Sequence, residues 1–189
     1  PTQAFYAVAP IGFFAIEQIH VRMFGGKVFF QSQGQGGKIF GKLAKMQADA
    51  NVDYIDVNAG IFFENEAENL KWVIDEVYEA APEVPFCIDS SSPKTIEAAV
   101  DYIGKKTRLV PMINSISLEA DRHEALLPVL SGTNLKVVAL CMDNNGMPET
   151  ADQRVLAADK LINSLVKKNI LLENIFVDPL VQSLATNST

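Results

Sequence analysis

Asp56 and Asn58, Asp89, Asn114, Asp143 and Asn144, and Asp178 each lie at the end of a short apolar run. The runs are Y-I-D-V-N-A-G, P-F-C-I-D-S-S-S, L-V-P-M-I-N-S, V-V-A-L-C-M-D-N-N-G and N-I-F-V-D-P. A carboxylate accepts hydrogen bonds at both oxygens, and a carboxamide both donates and accepts. Apolar residues followed by a polar lip are the pattern of parallel strands in α/β proteins, where ligands sit beyond the carboxyl ends. Polar lips on successive strands predict one shared pocket, with Asp89, Asn114 and Asp178 lining it and Asn58 and Asp143 on its rim. Asp56 reads as a satisfied acid beneath that pocket, and Asp143–Gly146 also reads as a plain turn.

These residues need elements to carry them. Helical periodicity covers 39–50, with a stripe of Ile39, Leu43, Met46 and Ala50. It covers 65–80, with Leu70, Val73, Ile74 and Val77 inward and the Glu, Asp and Lys residues outward. Pro93 after the serine run predicts a helix start, and that helix runs to about Tyr102. Further helices are expected over 117–130 and 150–168, the latter capped by Thr150. Strands are expected over 52–58, 86–89, 109–114, 135–142 and 175–178. Both A-F-Y-A-V-A-P and I-G-F-F-A-I-E-Q-I are strand-like, the second preferred as the first strand. Gln31–Lys38 is rich in Gly and Gln and reads as loop; Ile39 after Lys38 breaks a phosphate-loop pattern.

The strand ends recur at the length of a βα unit, roughly 30 residues. Near-continuous apolar strands alternating with helices predict a parallel sheet covered on both faces. An open doubly wound sheet and a closed barrel both fit. An open sheet gathers its ligand residues at one switch point. Here nearly every strand contributes one, which favours a TIM (β/α)8 barrel. Such barrels take about 250 residues, and this chain has 189. It reads as a single domain over 1–189, cut after about six strands, with two βα units expected beyond Thr189.

The chain carries a net charge of −7, which argues against nucleic acid or an anionic membrane as main partner. No apolar run reaches the ~18 residues of a transmembrane helix. Cys87 and Cys141 have no metal-binding spacing and read as reduced thiols in apolar walls. A cytoplasmic enzyme is the expectation. His123, in D-R-H-E-A, reads as a helix residue.

D-V-N-A-G (56–60), C-I-D-S-S (87–91), M-I-N-S-I-S-L-E (112–119), M-D-N-N-G-M-P (142–148) and I-F-V-D-P-L (175–180) stand in family order. With them the chain resembles the pterin-binding methyltransferases, namely methyltetrahydrofolate:corrinoid methyltransferases and the folate domain of cobalamin-dependent methionine synthase. The resemblance runs from about Leu43 onward; residues 1–42 match poorly. It implies a dihydropteroate synthase-like barrel and methyl transfer between methyltetrahydrofolate and the cobalt of a corrinoid protein. It implies that Asp89, Asn114 and Asp178 hydrogen-bond the pterin, with Asp178 and Asn114 serving the chemistry. Glu17 falls at the family's E-x-I-N, where this chain has E-Q-I-H and His20 replaces the asparagine. The cobalamin cobalt is expected on the partner, with no metal held by this chain, and a homodimer is expected. Dihydropteroate synthase is the nearest alternative, although Ser115 follows Asn114 where that family has an aspartate. A non-catalytic pterin-binding domain is the other.

Overall fold

The computed structural model describes residues 5–9, 12–20, 33–60 and 65–181, with side chains from 40 onward. The chain divides into two compact units, one built mainly of Phe13–Asn114 and one mainly of the residues from Ser115 onward, with Ala7–Gly12 grouped with the second.

Two N-terminal strands open the chain, β1 (Phe5–Ala9) and β2 (Gly12–His20). In the first unit α1 (Gln33–Asp49), β3 (Tyr54–Asn58), α2 (Glu66–Ala80), β4 (Phe86–Asp89) and α3 (Pro93–Lys106) follow in strict alternation, before β5 (Met112–Leu118). β2 pairs parallel with β3, β3 with β4, and β4 with β5 as far as Asn114. Both faces of this sheet are covered, so Tyr54, Ile55, Val57, Phe86, Ile88, Met112 and Ile113 are all buried. The expected α2 stripe of Leu70, Val73, Ile74 and Val77 is wholly buried. Ser92 caps α3 by accepting from the Thr95 N–H at 3.2 Å, with Pro93 at the first helical position, where its missing N–H costs nothing.

α1 departs from the sequence reading. Helix begins at Gln33, so Gln33–Lys38 is not loop. The buried face is Phe40, Ala44 and Gln47, whereas Leu43 and Met46 are 38% and 58% exposed. The reason is packing on α2. Phe40 meets the Trp72 ring edge-on at 5.4 Å between centroids, a favourable aromatic geometry. A Cβ at Gly41 would stand 3.7 Å from the Ala80 Cβ, so this side of α1 lies close against α2.

In the second unit β6 (Lys136–Asp143) pairs parallel with β7 (Ile175–Asp178). α4 (Ala120–Leu130) and α5 (Ala151–Val166) bury Leu126, Leu130, Leu161 and Leu165. Thr150 caps α5 as expected, in a full capping box with Gln153, which satisfies two otherwise orphaned N–H groups.

β5 was expected over 109–114, and it runs instead to Leu118, so α4 starts at Ala120 and not Ser117. Ile116 is fully buried between buried Ser115 and Ser117, a continuous run that suits a strand covered on both faces and not an exposed helix start. Asn114 therefore lies inside its strand and not at its end. The readings of Gly25–Gly26 and of the tail 182–189 fall outside the described residues.

Candidate functional site

β3 and β4 end in register. Asn58 pairs with Asp89, and Asp89 pairs with Asn114. In a parallel sheet, paired residues project to the same face, and so do residues two positions away. This gives two rows on one face. The upper is Asn58, Asp89 and Asn114; the lower is Asp56, Cys87 and Met112. The lower row is fully buried and the upper half-buried, so the upper row can meet a ligand. Asn114 belongs to this row because β4 ends beside it, although its own strand continues.

Each side chain of the upper row is held. Asn58 accepts from the Gly60 N–H at 2.8 Å and donates from Nδ2 to Asp89 Oδ2 at 2.9 Å. Both ends of its carboxamide are thereby used, and Asn58 braces Asp89. Gly60 leaves room for this. A Cβ there would lie 3.3 Å from Asn58 Oδ1. Asn114 donates from Nδ2 to Asp56 Oδ2 at 3.2 Å, diagonally across β4.

Asp56 is fully buried, and its Oδ1 takes no hydrogen bond from any described residue. Burial disfavours the charged form and the charge of Asp89 adds to that, so the carboxyl is pushed up to about 7 despite the Asn114 and Cys87 hydrogen bonds. The same burial, with Asp56 and Asp89 nearby, pushes the Cys87 thiol up. At neutral pH it is a neutral wall group, not a nucleophile.

Behind this row a buried glutamate ties α2 to the β4–α3 loop. Glu66, read from the sequence as outward, is 7% exposed at the first turn of α2. It accepts from Ser90 Oγ at 2.6 Å and Thr95 Oγ1 at 3.2 Å. Ser90 Oγ in turn accepts from the Ser92 N–H at 3.0 Å. One carboxylate thus grips the loop that leaves Asp89 and the start of α3. Its signal was present: Glu66 stands four residues before Leu70, on the buried stripe.

The acids of the second unit are arranged differently. Asp178 ends β7, in register with Leu140 of β6, and Asp143 lies three residues further along that strand. Asp143 Oδ1 accepts from the Asn145 N–H at 2.8 Å, and Asp178 Oδ1 from the Leu180 N–H at 2.8 Å. Both are Asx-turns. Asn144 Oδ1 accepts from the Ala120 N–H, so it caps α4. Arg154 clamps the lip of β7 by donating from Nε to the Pro179 carbonyl at 2.9 Å. Asp143 borders a cleft of about 310 Å³ with Cys141, Met147, Glu149, Leu156 and Lys160. His123 pairs with Ser164 Oγ at 2.8 Å, tying α4 to α5, and burial lowers its pKa.

Glu17 lies in β2 opposite Ile55, and His20 opposite Asn58; their side chains fall outside the described residues. Among the described residues no three His, Cys, Asp or Glu side chains gather as a metal site. No helix among them is long and apolar enough to cross a membrane.

The model of a family described as pterin binding enzyme matches residues 42–188. Over 144 residues the chain is 38% identical to the methylcorrinoid:tetrahydrofolate methyltransferase of Eubacterium limosum, covering 75% of this chain and 51% of that protein. The chain thus spans about half the length of the curated relative it matches.

Proposed function

The chain belongs to the pterin-binding enzyme family, whose domain is of the TIM-barrel type, and from that premise we propose that it moves a methyl group between methyltetrahydrofolate and the cobalt of a corrinoid protein. The observation that carries the reading is the in-register row of Asn58, Asp89 and Asn114. The pyrimidine edge of a pterin alternates donors and acceptors. A carboxylate takes two of its N–H bonds, and a carboxamide matches a donor–acceptor pair. In this reading Asp89 binds the amino group and adjoining ring nitrogen, and the bond from Asn58 fixes how its carboxylate is turned. Asn114 supplies the mixed pair. Asp178 is assigned to the same ligand on its I-F-V-D-P-L motif. The printed name of the relative, which pairs a methylcorrinoid with tetrahydrofolate, supports the substrate pair.

A tertiary amine leaves poorly unless its nitrogen is protonated or strongly hydrogen-bonded. In the reverse direction the same nitrogen must shed its proton to act as nucleophile. The work required of this chain is therefore to orient the pterin and to hold or release a proton at that nitrogen. We assign the proton to Asp178 or to a water that it holds. The cobalt comes with the partner corrinoid protein, and the enzyme works as a homodimer.

The test is methyl transfer followed by corrinoid absorbance, with full-length protein, methyltetrahydrofolate and a reduced corrinoid protein. A methylated-corrinoid spectrum appearing with enzyme and not without it is the expected result. No transfer with several corrinoid proteins, in either direction, overturns the reading.

A further inference from the structure

Asn114 can serve a ligand only if its carboxamide is held in one orientation. One Nδ2 hydrogen is committed to Asp56 Oδ2 at 3.2 Å. The side chain then offers its second N–H and its carbonyl oxygen, a donor and an acceptor in fixed order. Turned over, it would offer them in the reverse order. A carboxylate only accepts, so it admits one orientation; a protonated carboxyl also donates and admits both.

We propose that Asp56 is a positioning residue, whose buried carboxylate fixes the order in which Asn114 presents donor and acceptor to the pterin edge. This rests on the pterin reading above. Asp56 lies one row below the ligand face and does not touch the ligand. With its carboxyl pushed up to about 7, both protonation states are populated near neutrality. The titratable groups on the adjoining strands are Cys87 and Asp89 of β4, and Glu17 and His20 of β2. A pterin selects the ordered carboxamide. Its affinity therefore rises with pH as Asp56 ionises.

Two readouts on the full chain test this. The Asn114 side-chain amide is followed by 15N NMR from about pH 5.5 to about 8.5 without ligand. In the wild type it is expected to titrate near the Asp56 midpoint of about 7, and in Asp56→Asn to stay flat. Tetrahydrofolate binding is measured by calorimetry over the same range. The wild type should gain about twofold in affinity, because a protonated Asp56 that admits both carboxamide orientations leaves about half the molecules competent. Asp56→Asn, which keeps Cys87, Asp89, Glu17 and His20, should show no such rise. An Asn114 signal that is flat in the wild type, or that titrates alike in the variant, overturns the proposal. So does an affinity slope that survives in Asp56→Asn. If that variant does not fold, the wild-type Asn114 titration decides alone. A wild type that binds no tetrahydrofolate at any pH overturns the functional reading and with it the role toward the pterin, while a titrating Asn114 would still establish its coupling to Asp56.

Discussion

The two units place acids at strand ends in opposite ways. In the first, the side chains are held from other strands. Asn58 reaches Asp89 across 31 residues, and Asn114 reaches Asp56 across 58. In the second, Asp143 and Asp178 each fold back on the backbone two residues ahead. A turn acid of this kind shapes its own loop. A cross-strand acid is set by the sheet, and its orientation survives only if the neighbouring strands stay in register. The first arrangement sets polar side chains side by side in one in-register row; the second makes a firm lip.

The largest effect that would sharpen this contrast comes from Asp56. Its pKa is about 7 in the folded protein against the ordinary 3.8, so between those values the folded chain binds more protons than the unfolded one. Stability from this group is full below about pH 4 and lost as pH rises through about 7. The loss is at most on the order of 4 kcal/mol. Asp56→Asn, neutral like the protonated acid, should remove it, so melting of wild type and variant recorded from pH 4 to pH 8 should agree best at the acid end and diverge as pH rises. Parallel curves would mean that the carboxyl is not isolated from water as described.

Next comes ligand binding. If Asp89 accepts from the pterin as proposed, Asp89→Ala should weaken binding by up to about 3 kcal/mol, whereas Asp143→Ala should cost about 0.5 kcal/mol or less. Equal losses by calorimetry would break the division between aimed acids and turn acids. Glu66→Ala should cost about 2 kcal/mol in urea unfolding, because the Ser90 and Thr95 hydroxyls lose their acceptor in a buried place; Glu66→Gln, which keeps one acceptor, should cost less. The smallest effect belongs to the local devices of the second unit. Thr150→Ala should cost about 1 kcal/mol through the lost cap, and a cost matching Glu66→Ala would erase the contrast.

The same contrast explains what could be read from sequence. The Thr150 cap, and Ser92 with Pro93, are devices completed within a few residues, and both were legible; the reciprocal bond from Gln153 came only with the structure. So was the alternation of strand and helix, since each apolar run is bounded by its own turn residues. The level of Asn114 was not. It depends on where β4 stops, and the apolar content of M-I-N-S-I-S-L hides that the strand continues past it. Glu66 was misread because a carboxylate on a buried stripe needs partners, and these lie on the next βα unit. The face of α1 was missed because Phe40 and Leu43 are equally apolar, and the choice between them rests on Trp72 of α2.

The span of the Asn114–Asp56 hydrogen bond also sets a timetable. Each strand of the first unit pairs with the next in sequence, so pairing can advance as the chain leaves the ribosome. That hydrogen bond cannot form until another 58 residues have followed Asp56. At synthesis rates of roughly 5–20 residues per second, this takes roughly 3 to 12 s. Throughout that interval Asp56 lacks this partner. The clasp closes only when β5 arrives, so the row of Asn58, Asp89 and Asn114 is the last part of its own scaffold to be completed.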